Sequence, residues 1–411
     1  MSLDKRILLI FSVLALLGTI TNYVYFSPIL TLLLPLAIYV FNREKIDRPV
    51  LWLYIYLAIF LVSTALYYPQ SFIEFGFYRR DGNFLIAYAP LLVLPLFSIR
   101  FDYYKMLRLF FTFAVSIYLI VFAYHIVQTL FTGNILAVFG GLFYAQNAVG
   151  GFLSILGALG FAYWLREKTW AKFLLFFLVF LMLVLTYSRG SIIGLVMGIT
   201  AWYLAVNGYF KSLIILLIIP ILFTIGALFI GYPYYENRMA GGDEAKLEMS
   251  TDVETKNMNV LLRVFYTFPR AYYSFLHSPI VGTGVGSFDD QPYQFEEVMP
   301  YVAYNAQPQK THSDNHAHHS YLHILAEQGI VGLMVFLVFW FYLFIYLLRI
   351  KHRPLIRDFL LIAFFTITFA SFTEHRITTP SMMLPFTIPL GLLFAHQPRE
   401  RRYKLVEVSD E

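Results

Sequence analysis

The chain has 411 residues, of which 59% are hydrophobic, 19% aromatic and only 13% charged, with a net charge of +5. A soluble domain carries about 25% charged residues, so this composition excludes an ordinary soluble globular protein. Cysteine is absent, which also excludes disulfide bonds, thiolate metal sites and a cysteine nucleophile.

The hydrophobic residues form long blocks, each sufficient for a helix across a hydrocarbon core of about 30 Å. The sequence therefore predicts an all-α, polytopic integral membrane protein. Short connections containing Gly, Pro, Asn or charged residues separate the blocks. The predicted spans, twelve in all, are 7–22, 26–41, 50–67, 83–98, 109–130, 147–165, 173–188, 190–207, 212–231, 328–348, 359–373 and 381–396.

The distribution of basic residues predicts the orientation. With the N-terminus in the cytoplasm, the inner segments contain 20 of the 30 Lys and Arg residues, so the positive-inside rule favours two cytoplasmic termini. We predict four regions: nine transmembrane helices in 1–231, a large extracytoplasmic loop in 232–320 that carries part of the active site, three helices in 321–396, and a cytoplasmic tail in 397–411.

The interiors of the predicted spans contain no Asp, Glu, Lys or Arg. Ion-coupled transporters usually carry such a group near the middle of the membrane. His125 is the exception, and a lone histidine on an aromatic helix is typical of a hydrogen-bonded structural residue. The chemistry is therefore predicted at the outer interface.

Several arginines lie on the predicted outer side, where cations are usually avoided. Arg189 lies in the sequence YSRGS between two spans, and Arg263 begins the apolar part of the long loop. The guanidinium fork matches paired phosphate oxygens, so these cations indicate an anionic, diphosphate-like ligand. Anchoring of Arg189 at the membrane surface is the alternative. The other arginines on this side are Arg79, Arg80, Arg270 and Arg376.

A histidine-rich stretch, 311–332, leads into the tenth predicted span. His319 and His323 are four residues apart, as are His312 and His316, which is a spacing of metal ligands on a helix; Asp314 or Glu327 could complete such a site. In a second interpretation, one neutral imidazole at the start of the span acts as a general base. A polar loop without a chemical role is the third.

The pattern His318-His319-x9-Gly329-x2-Gly332 resembles the signature of the bacterial O-antigen ligase family, which usually has Asn, Ser or Gln at the second position. The spacing to Tyr321 favours His318 as the equivalent of the family's histidine. Further segments are also similar to that family. They are TYSRGS around Arg189, Asn147 before the sixth span, and the run from Arg263 to HSPIVGTGVGSF at 277–288.

Members of this family are membrane glycosyltransferases that move a glycan from an undecaprenyl-diphosphate carrier to an acceptor outside the cytoplasm. The resemblance implies a metal-independent, inverting reaction without a cofactor. His318 would be the base on the acceptor hydroxyl, and Arg189 and Arg263 would bind the diphosphate. Further candidate substrate contacts are Arg80, Asn147, His319 and Arg376.

The predicted function is that of an O-antigen ligase in the bacterial inner membrane, with its site facing the periplasm. Its partners would be an undecaprenyl-diphosphate-linked O-antigen donor, a lipid A–core acceptor and membrane lipids, with no nucleic acid. An O-antigen polymerase, with the same donor and a lipid-linked acceptor, is the first alternative. The others are a pilin-modifying oligosaccharyltransferase, a polysaccharide or lipid transporter, and a zinc-dependent membrane hydrolase.

Overall fold

The computed structural model describes residues 47–72, 83–96, 103–133, 137–142, 146–239, 263–290, 316–350 and 353–395, and the regular elements in these ranges are helices. The α-helices are α1 (Arg48–Tyr67), α2 (Asn83–Val93), α3 (Tyr103–Thr132), α4 (Gln146–Glu167), α5 (Trp170–Leu185), α6 (Arg189–Val206), α7 (Phe210–Met239), α8 (Phe268–His277), α9 (Ser287–Asp290), α10 (Ser320–Leu348), α11 (Pro354–Ala370) and α12 (Pro380–Ala395).

The prediction of an all-α fold is confirmed for the described residues, and the length and composition of the helices support a membrane protein. Within the described ranges, six helices are long and apolar enough to cross a membrane, namely α1, α3, α4, α6, α7 and α10. Shorter apolar helices are α5, α12 and the segment Phe84–Leu96. The count of twelve spans and the extracytoplasmic loop stay predictions. The first two predicted spans, together with Arg79 and Arg80, lie outside the described residues.

Several helices extend beyond the apolar runs from which the spans were predicted. Helix α7 continues to Met239, α10 begins at Ser320, and α11 begins at Pro354. As a result Glu327 and Asp358 lie inside helices, and both are about 1% exposed. The predicted spans missed these turns because hydropathy cannot detect a buried carboxylate whose partners lie far away in the chain.

Helix α6 packs very closely against α11 through glycines on one face. A Cβ at Gly194 would lie 2.8 Å from the Thr366 carbonyl oxygen, and one at Gly198 would lie 2.4 Å from Thr366 Oγ1. Small residues of this kind let two membrane helices approach at backbone distance. At the start of α6, a Cβ at Gly190 would lie 3.1 Å from Glu374 Cγ. The packing therefore brings the N-terminus of α6 beside the loop that follows α11.

Helix α10 is broken at Gly329, which has φ 64° and ψ −168°. The break leaves the following backbone N–H groups without partners inside the helix. Those of Ile330 and Val331 donate instead to the carbonyl oxygens of Pro279 and Ile280, at 2.9 and 3.1 Å. The glycine-rich turn after α8 therefore completes the break in α10.

The same turn also satisfies the carbonyl groups before the break. The N–H groups of Thr283 and Gly284 donate to the carbonyl oxygens of Ala326 and Glu327, at 3.2 and 2.9 Å. A Cβ at Gly282, which has φ +73°, would lie 2.2 Å from the backbone of Glu327. The glycines of the segment 277–288 and Gly329 thus belong to one junction, in which the turn after α8 packs into the break in α10.

The side chain of Glu327 stabilises the end of this turn by accepting hydrogen bonds from its backbone. Its Oε1 accepts hydrogen bonds from the N–H groups of Gly286 (2.9 Å) and Phe288 (3.3 Å), and its Oε2 lies 3.2 Å from His323 Nε2. Arg270 is buried, donates to the Phe288 carbonyl oxygen, and lies 4.4 Å above the Phe288 ring. Glu327 and Arg270 therefore have structural partners in this junction.

A second buried carboxylate lies near the other end of α11. Asp358 accepts hydrogen bonds from Arg166, from Arg357 (2.9 and 3.0 Å) and from Trp202 Nε1 (3.1 Å). Because burial of an unpaired carboxylate is costly, this cluster fixes α4 and α6 against α11 at the end remote from Glu374.

Candidate active site

His318 lies one residue before the N-cap of α10 and contacts a carboxylate from a distant loop. Its Nδ1 lies 3.3 Å from Oε2 of Glu374, which follows α11. An ionised carboxylate can only accept a hydrogen bond, so this contact places the ring proton on Nδ1 and a lone pair on Nε2 in the neutral imidazole. His318 has φ +49°, a conformation that is uncommon for a residue with a side chain and recurs at functional sites.

Glu374 also binds an arginine. Its Oε1 accepts a hydrogen bond of 2.5 Å from Arg263 Nη2, and Arg263 Nη1 donates to the Thr373 carbonyl oxygen at 2.7 Å. The side chains of His318 and Arg263 are 21% and 22% exposed, whereas that of Glu374 is 11% exposed. The ring and the cation are therefore at the surface of the site, with the carboxylate behind them.

The environment keeps Glu374 ionised. Burial alone would raise the pKa of its carboxyl, but the hydrogen bond with His318 and the charges of Arg263 and Arg376 lower that pKa well below its usual range. The site therefore contains a stable negative charge between an imidazole and a guanidinium.

Arg376 is 3% exposed and connects two other elements. Its Nη2 donates to Ser188 Oγ at 3.1 Å, just before α6, and its Nη1 donates to the Asn147 carbonyl oxygen at 2.8 Å, near the start of α4. The structure thus brings together Asn147 and Arg376, two of the predicted site residues, through a contact within the protein. Contact of either with substrate stays a prediction.

Ser320 fixes the position of Glu374 relative to α10. Its Oγ donates to the Glu374 carbonyl oxygen at 3.2 Å and accepts from the Arg376 N–H at 2.9 Å. Its own N–H donates to the Ser371 carbonyl oxygen at 2.9 Å. The first turn of α10 and the loop at 371–376 therefore form one hydrogen-bonded unit.

His319 is buried, and both of its ring nitrogens form hydrogen bonds within the protein. It is the N-cap of α10, and its Nδ1 accepts from the Leu322 N–H at 3.2 Å. Nε2 therefore carries the proton and donates to Thr224 Oγ1 at 3.0 Å, and Thr224 in turn donates to the Pro220 carbonyl oxygen. Burial lowers the pKa of His319 to about 3. This geometry favours His318 over His319 as the base.

Arg189 is the first residue of α6, and its side chain is exposed. No hydrogen bond or ion pair joins its side chain to the described part of the chain. Because Gly190 packs against Glu374 Cγ, Arg189 begins beside the Glu374 loop. A cation and a helix N-terminus together provide a favourable position for an anion.

Four histidine rings lie close together around this site. The ring centroids of His316 and His318 are 4.6 Å apart, those of His316 and His375 5.3 Å, and those of His323 and His375 4.4 Å. Burial, followed by the neighbouring histidines, holds the pKa of His375 well below its usual value. The sequence reasoning did not select His375.

The spacing of His319 and His323 does not bring them to a common centre. His319 contacts Thr224, and His323 contacts Glu327. Among the described residues no group of three His, Asp or Glu side chains could hold a metal ion. His312 and Asp314, the other residues of the metal hypothesis, lie outside the described residues.

An apolar cavity of about 550 Å³ lies between α7, α10 and α11. It extends along α7 from Leu213 to Leu228, which is about 22 Å at 1.5 Å per residue. His319 and Tyr321, next to His318 in the sequence, line it. Its other walls include Leu217, Ile221, Leu325, Leu333, Leu337, Trp340, Phe344, Phe364, Phe365 and Phe372.

A family model described as O-antigen ligase matches residues 173–337 of this chain. This match supports the O-antigen ligase family for that part of the chain. The match extends from α5 into the broken helix α10 and includes Arg189, Arg263, His318 and Gly329, whereas Glu374 lies beyond it. The resemblance stated from the sequence is therefore confirmed. No curated protein matches the chain.

The O-antigen ligase family comprises ligases and related polymerases, which are glycosyltransferase-like enzymes of lipopolysaccharide biosynthesis. The matched segment of this chain contains four of the site residues selected from the sequence, namely Arg189, Arg263, His318 and His319. The described structure joins two of them, His318 and Arg263, through Glu374.

Proposed function

We propose that the protein is an O-antigen ligase that transfers O-antigen polysaccharide from undecaprenyl diphosphate to a sugar hydroxyl of lipid A–core. It acts in the bacterial inner membrane, with both termini in the cytoplasm and its site facing the periplasm. The observation that carries the proposal is the contact of His318 with Glu374, which pairs a candidate base with an orienting carboxylate in a chain with a match to this family.

On the acceptor side, His318 is the general base. As the acceptor hydroxyl oxygen attacks the anomeric carbon of the donor glycan, its proton passes to His318 Nε2. The bond between that carbon and the diphosphate oxygen breaks, and undecaprenyl diphosphate leaves with the electron pair. Attack opposite the leaving group inverts the anomeric configuration. Glu374 stabilises the imidazolium that forms.

On the donor side, Arg189 and Arg263 bind the diphosphate and stabilise the charge that develops as it leaves. Guanidinium groups suit this task because they donate two parallel hydrogen bonds to phosphate oxygens. Arg189 is exposed at the start of α6, and Arg263 is partly exposed beside Glu374. Asn147, His319 and Arg376 support this site from inside the fold. Arg80 remains a candidate contact outside the described residues.

The apolar cavity between α7, α10 and α11 supports a lipid-linked donor. Its walls are almost entirely hydrocarbon and aromatic, and they include His319 and Tyr321, which are close in the sequence to the proposed base. A polyprenyl chain in this cavity would keep its diphosphate close to the protein surface where Arg263 lies. A soluble sugar nucleotide would not use such a surface. Cleavage of the bond between the glycan and the diphosphate supplies the driving force, and the resemblance to the family implies a reaction without a metal ion or cofactor.

An O-antigen polymerase is the second candidate, because the matched family includes related polymerases. It would use the same donor and the same groups, but its acceptor would be a second lipid-linked glycan. The proposed residues do not distinguish these two acceptors, so the ligase and the polymerase have to be distinguished by their products.

The test uses purified protein in detergent with EDTA, lipid-linked O-antigen and lipid A–core, with products resolved by gel shift. A ladder of capped lipopolysaccharide supports the ligase, and lengthened donor chains would instead indicate the polymerase. Arg189→Ala and Arg263→Ala should weaken donor use by 10-fold or more, at about 1.4 kcal/mol per factor of ten. Lys172→Ala, which removes a charge paired with Glu167, is the control; an equal effect there would contradict the diphosphate assignment.

A further inference from the structure

Glu374 is shared between the two halves of the proposed site. One carboxylate oxygen accepts from Arg263 at 2.5 Å, and the other lies 3.3 Å from His318 Nδ1. The backbone of Glu374 is fixed on both sides, since its N–H donates to the Ala370 carbonyl oxygen and its own carbonyl oxygen accepts from Ser320. One rigidly held carboxylate thus contacts both the proposed base and a proposed diphosphate ligand.

We propose that Glu374 is a positioning residue that couples donor binding to the basicity of His318. It orients the ring through Nδ1, and its charge is partly neutralised by Arg263 until a diphosphate binds that arginine. This proposal rests on the proposed function and extends it by assigning the order in which the site becomes active.

The competition for Arg263 follows from its hydrogen bonds. Its Nη2 contacts one oxygen of Glu374 and its Nη1 contacts a neutral carbonyl oxygen, that of Thr373. A diphosphate offers more charge and more acceptor oxygens to the same fork, so it can draw Arg263 away from Glu374. Relieved of that cation, the carboxylate stabilises the imidazolium of His318 more strongly, and His318 becomes a stronger base.

Other charged or titratable groups face His318 from each neighbouring element. His316 lies on its own segment with ring centroids 4.6 Å apart, and His375 and Arg376 lie on the loop with Glu374. Arg189 begins α6 beside that loop. Since the pKa of His375 is well below its usual value, that ring carries no charge near neutral pH. Arg376 has its own partners, Ser188 and Asn147. This leaves the Glu374–Arg263 pair as the element that a bound diphosphate can rearrange.

The direct test is titration of the His318 ring by NMR, with ¹⁵N-histidine in the full-length protein in nanodiscs and the signal assigned through His318→Ala. The probe is undecaprenyl diphosphate without glycan. Its addition to the wild type should raise the pKa of His318. In Glu374→Gln that pKa should be lower by about one pH unit or more, and undecaprenyl diphosphate should raise it by less than in the wild type, because only the direct effect of the diphosphate charge is left. Glu374→Asp should restore part of the response, and Glu167→Gln is the charge-removal control.

Kinetics separate this role from a purely structural one. In Glu374→Gln the plateau of kcat should fall by roughly 10- to 100-fold, and the acidic limb of its pH profile should move to lower pH. The KM for donor should fall or stay the same, because the variant no longer has a carboxylate that competes with the diphosphate for Arg263. A structural defect would lower the plateau without moving the limb.

The wild-type titration alone can overturn the proposal. If undecaprenyl diphosphate binds but leaves the pKa of His318 unchanged, the coupling is wrong, whatever happens to the folding of the variants. An unchanged pKa in a folded Glu374→Gln protein would be equally contradictory. If the wild type makes no glycan product but its His318 still responds to undecaprenyl diphosphate, the ligase assignment fails while the coupling stands.

Discussion

Replacement of Gly329 by alanine would perturb the junction that shapes the candidate site. Gly329 lies at φ 64° and ψ −168°, a region that only glycine occupies readily and that costs other residues about 1–3 kcal/mol. The added Cβ would also lie 2.4 Å from the carbonyl carbon and oxygen of Ile280, and such overpacking costs roughly 1–3 kcal/mol. We therefore expect a loss of about 3 kcal/mol in the stability of the junction.

The loss should be local, because the turn at 278–286 is fixed by backbone hydrogen bonds to the broken helix, among them those donated by Ile330 and Val331. About 3 kcal/mol corresponds to roughly a 100-fold increase in the population of the opened turn. Hydrogen–deuterium exchange with mass spectrometry should show this increase in peptides that cover the turn. Activity should fall as well, since α10 carries His318 at its start.

Gly226→Ala is the matched control. It lies inside α7, and a Cβ there would meet no atom within 4 Å, so the alanine should be neutral or slightly stabilising. If the backbone amides of the turn at 278–286 exchanged at the same rate in Gly329→Ala as in Gly226→Ala and the wild type, the account of the broken helix would be refuted.

Two further predictions concern stability. Because the pKa of His319 is about 3 when folded and its ordinary value is 6.5, the unfolded chain binds a proton first as the pH falls. The free energy of unfolding should therefore decrease below pH 6.5, by up to about 1.4 kcal/mol per pH unit. The thermal unfolding midpoint should decrease less steeply with falling pH in His319→Gln than in the wild type. Parallel plots of the midpoint against pH for the two proteins would contradict this. Asp358→Asn keeps an acceptor for Trp202 but removes the charge that pairs with Arg166, so it should cost about 2–3 kcal/mol. An unchanged unfolding midpoint would mean that this cluster is not stabilising.

Hydrophobic patterning predicted the helices well where each is a continuous apolar run, as in α4 and α6. It placed the start of the tenth span at 328, whereas α10 begins at Ser320. The reason is Glu327, whose partners Gly286 and Phe288 lie about forty residues earlier in the chain. A hydropathy average counts such a residue as polar even though the fold buries it.

The candidate site was predicted in part. Arg189, Arg263 and His318 were selected because a motif and their predicted side of the membrane identify them. Glu374 was not selected, although it lies two residues before Arg376 in the same short loop. Its role depends on contacts with residues 56 and 111 positions away, and no local pattern reveals such contacts. An acidic residue directly before His375 and Arg376, in a short loop predicted on the outer side, was the signal that could have been used.

The apolar cavity could not be predicted from the sequence either. Each residue that lines it belongs to an ordinary apolar helix face, and only the placement of α7 against α10 and α11 leaves a space between them. A run of Leu and Ile has the same hydrophobic pattern whether it faces lipid, another helix or a ligand.

The central claim is that His318 takes the proton of the acceptor hydroxyl, and one comparison tests it most directly. Single-turnover transfer from preloaded lipid-linked O-antigen to lipid A–core would be measured for the wild type and for His318→Ala, with donor binding measured in parallel. The account predicts that His318→Ala binds donor normally but transfers at least 100-fold more slowly, the range expected for loss of a general base. Transfer by His318→Ala at the wild-type rate would contradict it.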